Sequence, residues 1–341
     1  MTSPFANIDV MASNLPEGSQ SGQLRSVIIA ETDFKVDERI GDLLEKIDSV
    51  GCAEREACRL APAWAAALPE GVQRAVLMLA RLHLADALVI RRVPLGRIAK
   101  ARTPVVHGEA RRLGGFEAMC LAIAYLYGTP VGYATQQKGR MINDIVPLRQ
   151  QSHVPNHSGG FTEKFKFHSE DAFMASPPNF IQLGCVRNPT KTPLTVSSIL
   201  PGDIAPEPYA ALRSSRYRIG VNPGQGGTQL EPYLGAILGG DNARPSLRFN
   251  DAETTCLEPG DTSLNSFEET LERNATDVNL EPGDVIIVNN RRLVHARRPY
   301  AAKCDGTDRW LLRLVAYRSI DTVQELIPDV EFPILHPKVM K

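Results

Sequence analysis

The chain has 341 residues, 43% of them hydrophobic, with 38 Lys and Arg against 39 Asp and Glu. Such a chain can bury a core, is not disordered overall, and carries no charge excess that points to nucleic acid or a membrane surface. No apolar stretch approaches the ~18 residues of a membrane span, and the N-terminus MTSPFANIDVMASNLPEGSQSGQ lacks the charged-then-apolar order of a secretory signal. The six cysteines (52, 58, 120, 185, 256 and 304) include no CxxC pair and read as reduced, mostly buried thiols. A cytoplasmic protein with no obligate protein partner is expected.

Residues 1–30 are polar and rich in Ser, Gly and Pro, which predicts an irregular arm. From Val36 to about His83 the segments ERIGDLLEKIDSVG, EREACRLAPAWAAAL and PEGVQRAVLMLARLHL repeat apolar residues at helical spacing. ADALVIRRVPLG then takes the form of a buried strand ended by Pro and Gly, and GGFEAMCLAIAYLYG is a further helix. After it the character becomes β: GRMINDIVP, EKFKFHSEDAF, NFIQLGCVRN, LTVSSIL, YRIGV, YLGAILGG, SLRFND, DVIIVNN and RWLLRLVAYRS read as strands. EPYAALRSSRY and SLNSFEETLERN read as helical insertions. Strands without regular intervening helices exclude a doubly wound parallel sheet and favour a mainly β (α+β) fold, a helical N-terminal layer against a sandwich or barrel. The expected organisation is a single catalytic domain over 31–341, with a helical layer over 31–83, a core over 84–320 and a tail over 321–341.

Within FKFHSEDAF, His168 and Glu170 are two residues apart, and on a strand such residues project from one face. An imidazole beside a carboxylate is half of a metal site or an acid–base pair; taken alone it is as readily a surface pair at a strand end. Further along, EPGDVIIVNNRRLVHARRPY carries His295 after a Pro-Gly-Asp turn and an apolar strand. A jelly roll can bring such a residue beside the first pair. Two histidines and one carboxylate leave coordination positions open, which suits non-haem Fe(II) oxygenases. Beyond them, Arg309 and Arg313 lie four apart, on one side of a strand rich in Trp and Leu. A guanidinium buried there needs carboxylates to hold.

The order HSEDAF, then GDVIIVNNRRLVHARRPY, then DGTDRWLLR resembles the clavaminate synthase-like iron(II)/2-oxoglutarate oxygenases, over about residues 84–318. Within that family it is most similar to hydroxylases of free amino acids such as arginine and asparagine. The resemblance implies a double-stranded β-helix (jelly-roll) core, Fe(II) held by His168, Glu170 and His295, and 2-oxoglutarate and dioxygen as cosubstrates. It implies that Arg309 and the Thr195 hydroxyl contact 2-oxoglutarate, and that Arg313 takes the α-carboxylate of a small amino-acid substrate. Gln137 is then expected at the α-amino group, with Gln136 its rival if the register slips by one, and Glu170 also faces that group. In arginine-directed relatives a loop after the sheet grips the guanidinium with acids. The matching stretch RPSLRFNDAETT places Asn250 at the first of those positions and Ala252 two on, favouring a neutral polar end such as that of citrulline, glutamine or asparagine, hydroxylated at C3 or C4. A slip of one residue brings Asp251 or Glu253 to the pocket and returns arginine or lysine.

The remaining histidines have plainer readings. His83, His107 and His336 are expected to pack or lie at the surface, and His153 and His157 to lie in a loop, a possible lid. Tyr133, Asn143 and Asp144 either line the pocket or bond at strand ends. Alternative functions are a desaturase or cyclase of the same family, a zinc hydrolase using the same triad, and a non-catalytic jelly-roll module.

Overall fold

A computed structural model describes residues 9–11, 27–108, 111–221, 231–322, 326–328 and 334–337. Most of the expected arm and tail lies outside these residues. Within the arm, Asp9–Met11 forms a strand antiparallel to Ile29–Asp33.

The three N-terminal helices fall where the spacing placed them, at Glu38–Val50, Glu54–Ala67 and Glu70–Ala80. The first is capped by Asp37, whose carboxylate accepts from the Ile40 N–H at 2.8 Å. They pack around Gly115–Tyr127, a helix apolar on all sides and buried along nearly its whole length, as such a helix must be. Its Gly115 N–H donates to Asp48 of the first helix at 2.7 Å. At its far end a Cβ on Gly128 would lie 2.5 Å from the Tyr317 carbonyl oxygen, so only glycine lets helix and sheet approach there.

The helices cover one face of a ten-stranded sheet. Its centre is antiparallel, running Ala87–Arg91, Val285–Asn289, Phe180–Arg187 and Trp310–Tyr317. Ile29–Asp33 joins parallel at one side, while Thr129–Tyr133 and the short Asn143–Ile145 share the outer edge of Trp310–Tyr317. Side chains alternate across this sheet. Trp310, Leu312 and Leu314 join the core under the helices, while Leu311, Leu183 and Ile286 join a second core.

That second core is closed by Leu194 and Val196, from a four-stranded sheet ordered Thr276–Val278, Leu194–Ser197, Val294–Arg297 and Phe165–His168. The helix Ser263–Arg273 covers this smaller sheet from outside, burying Phe267 and Leu271 among Phe167, Phe249 and Val294. The molecule thus combines two facing sheets with a helical layer. Among the described residues no helix is long and apolar enough to cross a membrane.

Candidate active site

Between the two sheets lies a cavity whose walls come from both. Leu311 and Arg313 of the larger sheet, with Arg309 just ahead of the same strand, lie in phase two residues apart on one wall, and the smaller sheet gives His168, His295 and Arg297. The period of a strand therefore aligns the charged groups of each wall with apolar neighbours, while Glu170 and Asp171 come from a turn.

His168 and His295 stand opposite each other on antiparallel strands, with ring centroids 4.2 Å apart. Glu170 arrives differently from its expected place on a strand face: the strand ends at His168, and Glu170 sits in the turn beyond it. Asn290 holds it there. The Glu170 N–H donates to Asn290 Oδ1 at 2.7 Å, and Asn290 Nδ2 donates to the Glu170 carbonyl at 3.0 Å. One ligand atom from each of His168, Glu170 and His295 lies within 4.8 Å of the others, and all three residues are buried. His295 Nε2 is 3.8 Å from Glu170 Oε2. His168 Nδ1 lies 2.8 Å from the Lys166 carbonyl oxygen, so it carries the ring proton and leaves Nε2 with its lone pair. Burial pushes both imidazoles below the usual histidine range, His295 furthest, with His168 and Arg313 adding to that shift. Neutral rings are what metal ligation needs.

Three guanidinium groups face this set. Arg309 is 3% exposed and has no carboxylate within ion-pair distance among the described residues; its Nε has no hydrogen-bond partner. Burial pulls its pKa down, opposed by the Tyr300 hydroxyl. Arg297, lowered by burial to about 10, donates to the carbonyls of Gly160 at 2.5 Å and Glu163 at 3.3 Å. A guanidinium kept charged in such a place is a seat for an anion. Arg313 is engaged with the Glu170 carboxylate and with two neutral amide oxygens, those of Gln136 and, at 2.7 Å, Asn143.

The other expected site residues divide. Asn250 lines the cavity, bridging to His168, whereas Asp251 points outward to Lys166 Nζ at 2.6 Å. Thr195 does not reach the cavity. On its strand Leu194 faces in, so Thr195 faces the opposite way and donates to its cross-strand neighbour Asp277 at 2.6 Å. Gln136 and Gln137 both line the cavity, and Gln136 is the one that meets Arg313; both polar atoms of the Gln137 amide are bonded to the Asp144 backbone. Asn143 lines the cavity, whereas the Asp144 carboxylate lies on the far face of the sheet, between Arg111, Arg140 and Trp310. Tyr133 bonds the Tyr317 hydroxyl at 3.0 Å instead. Two groups given plainer readings in the sequence, His107 and His157, are cavity residues with rings 6.4 Å apart, and burial lowers His107 to about 4.

The Taurine catabolism dioxygenase TauD, TfdA family model matches residues 241–315. Enduracididine beta-hydroxylase of Streptomyces hygroscopicus is 30% identical over 325 residues, which is 85% of this chain and 93% of that protein. The chain belongs to the clavaminate synthase-like iron(II)/2-oxoglutarate oxygenases. L-asparagine oxygenase of Streptomyces coelicolor is 29% identical, covering 67% of this chain and 69% of its own length. The crystal structure of the non-heme iron oxygenase OrfP with Fe and alpha-ketoglutaric acid superposes with a TM-score of 0.79 at 26% identity, over 89% of this chain and 99% of that one.

As a member of this family the protein is an Fe(II)-dependent oxygenase using 2-oxoglutarate and dioxygen. The residues present fit both groups. Two neutral imidazoles and one carboxylate form a donor set for Fe(II) that leaves positions open, and the buried Arg309 lacks the carboxylate that 2-oxoglutarate would bring.

Proposed function

We propose that this protein hydroxylates an unactivated C3 or C4 carbon of a free L-amino acid in the cytoplasm, as a step in specialised metabolite or antibiotic biosynthesis. The observation that carries this reading is the pairing of the buried Arg309 with the partly buried Arg313 on one cavity wall beside the His168–Glu170–His295 set. Arg309 has no carboxylate among the described residues, and Arg313 has that of Glu170, itself one of the metal-ligand set, so the wall can seat two more. One belongs to 2-oxoglutarate and the other to an amino acid. A zinc hydrolase has no use for the first.

In this reading the two facing sheets are a double-stranded β-helix, and residues 31–341 are one catalytic domain. His168, Glu170 and His295 hold the metal, which supplies oxidation of an sp3 C–H bond coupled to the conversion of 2-oxoglutarate to succinate and carbon dioxide. Arg309 binds the distal carboxylate of 2-oxoglutarate and so fixes its orientation. Arg313 binds the α-carboxylate of the amino acid; beside the Glu170 carboxylate its partners are the neutral amides of Gln136 and Asn143. Leu183, Leu194, Ile181 and Leu311 form the apolar part of the wall, which limits water around the reacting carbon.

The side-chain end is read by Asn250. The acids of the RPSLRFNDAETT loop do not line the cavity: Asn250 is an amide, Asp251 is paired outside with Lys166, and Glu253 lies beside Arg218. A buried guanidinium or ammonium beside Asn250 would find no acid of this loop to pair with, which is costly. A neutral ureido or amide end, as in citrulline, is therefore favoured over arginine. Incubation with Fe(II), ascorbate, 2-oxoglutarate and single free amino acids, scored by succinate, tests the reading. Turnover of arginine without turnover of citrulline would overturn the role given to Asn250.

A further inference from the structure

Arg313 owes its position to a short piece of chain. Its cross-strand neighbour is Asn143, on the three-residue strand Asn143–Ile145, and the two side chains lie on the cavity face. So short a strand, paired on one side only, has little stability of its own. It is held from two other directions.

On the face away from the cavity, the Asp144 side chain is wholly buried. Its carboxylate accepts from both terminal nitrogens of Arg111, at 2.7 and 2.8 Å, from Arg140 at 2.8 Å and from Trp310 Nε1 at 2.8 Å. Burial opposes its charge, but Arg111 and Arg140 outweigh that and keep its pKa below the ordinary aspartate range. Along the open edge, Gln137 takes the place of a neighbouring strand. Its Nε2 donates to the Asp144 carbonyl at 2.8 Å, and its Oε1 accepts from the Asp144 N–H at 2.9 Å.

We propose that Gln137 is a positioning residue: its carboxamide completes the edge of strand 143–145 and so fixes Asn143, and through it the Arg313 guanidinium. The backbone explains why Gln137 takes this task while Gln136 meets Arg313 directly. Gln137 and Lys138 both have positive φ, 42° and 62°, and the reversal sends consecutive side chains to different partners. The amide of Gln137 is thereby spent on the protein itself, so it does not serve the substrate's α-amino group. The link to the helical layer is indirect: Arg111, which holds the Asp144 carboxylate, also donates to Glu117 of Gly115–Tyr127 at 2.9 Å.

This inference rests on the reading of Arg313 as the grip on the substrate carboxylate, and the test separates the two. Hydrogen–deuterium exchange of segment 140–147 is measured first, on wild type and Gln137→Ala without any amino acid. Faster exchange in the variant is expected, and unchanged exchange overturns the proposal. Kinetics with L-citrulline and L-arginine then follow, for Gln137→Ala and for Gln137→Glu, which keeps the size but loses the donor. Both variants are expected to raise the amino acid's KM about ten-fold or more while the cosubstrate's KM stays near wild type, since small misplacements of a binding group are felt strongly. In an Arg313→Lys background the same substitutions should add little, because Gln137 acts through Arg313. A full, additive penalty in that background, or an unchanged KM in the wild-type background, overturns the proposal. If wild type turns over neither amino acid, the assigned substrate class fails and the kinetic part of the proposal falls with it, whatever the exchange data give.

Discussion

Asn290 grips the backbone of Glu170 from both sides, accepting from its N–H at 2.7 Å and donating to its carbonyl at 3.0 Å. Its Nδ2 also donates to the Pro178 carbonyl at 2.9 Å, so the residue is itself fixed. Glu170 lies past the end of its strand and has no ladder to orient it, so this amide takes the ladder's place. Asn290→Ala should weaken Fe(II) binding by about ten- to a hundred-fold, the usual cost of losing support behind a metal ligand. Calorimetric titration of metal into the apo protein checks this. Wild-type affinity in the variant would mean the turn holds Glu170 unaided.

Removal of either imidazole is a more drastic change. His168→Ala or His295→Ala should abolish amino-acid-dependent succinate formation while leaving the melting temperature close to wild type, since both rings face a cavity. EDTA should inhibit, and added Fe(II) but not Zn(II) should restore turnover. Near-full turnover in either variant would remove that residue from the metal set.

The two strand arginines should fail differently. Arg309→Ala should weaken 2-oxoglutarate, raising the cosubstrate's KM, and Arg313→Ala should raise that of the amino acid, while 2-oxoglutarate turnover uncoupled from hydroxylation persists in the second. Losing one partner of a buried charge pair costs about 3–5 kcal/mol, so each effect should be hundreds-fold or larger. Steady-state kinetics with each substrate varied in turn separates them; exchanged phenotypes would mean the carboxylates are assigned in reverse.

The cavity histidines also make the apo protein sensitive to acid. His107 is lowered from 6.5 to about 4 by burial, with His157 and Arg313 adding to it. The unfolded chain therefore binds a proton at this residue at a higher pH than the folded one does. Its contribution is intact above pH 6.5 and is lost as pH falls from there toward about 4. Carboxylates titrate in part of this window, so the comparison is with His107→Gln, whose melting temperature should fall less steeply between pH 6.5 and 4.5. Parallel curves would show that His107 takes up its proton in the folded state.

How much of this was readable beforehand depended on whether one local pattern carried the information. The three N-terminal helices follow apolar spacing, which placed them within a few residues, and Gly115–Tyr127, apolar on all sides, falls within the glycine-bounded run that predicts it. Arg309 and Arg313 share the cavity side because a strand has period two, and the structure keeps that phase. The expectation for Thr195 came from the family resemblance and not from strand phase, and the phase turns its hydroxyl away because its neighbour Leu194 holds the inward position. Glu170 reaches the site although its strand premise failed, because the turn beyond His168 and the distant Asn290 restore it. A contact across 120 positions leaves no local trace. His107 and His157 lie on loops far apart in sequence, and only the folded cavity brings them together.

The most direct test of the account uses isotopically heavy dioxygen with Fe(II), ascorbate, 2-oxoglutarate and the amino acid that best stimulates succinate release. One labelled oxygen atom should appear in the amino acid and the other in succinate, read by mass spectrometry of both products. An amino acid lacking the label, whether unchanged or oxygenated from solvent water, would contradict hydroxylation of a free amino acid at this site.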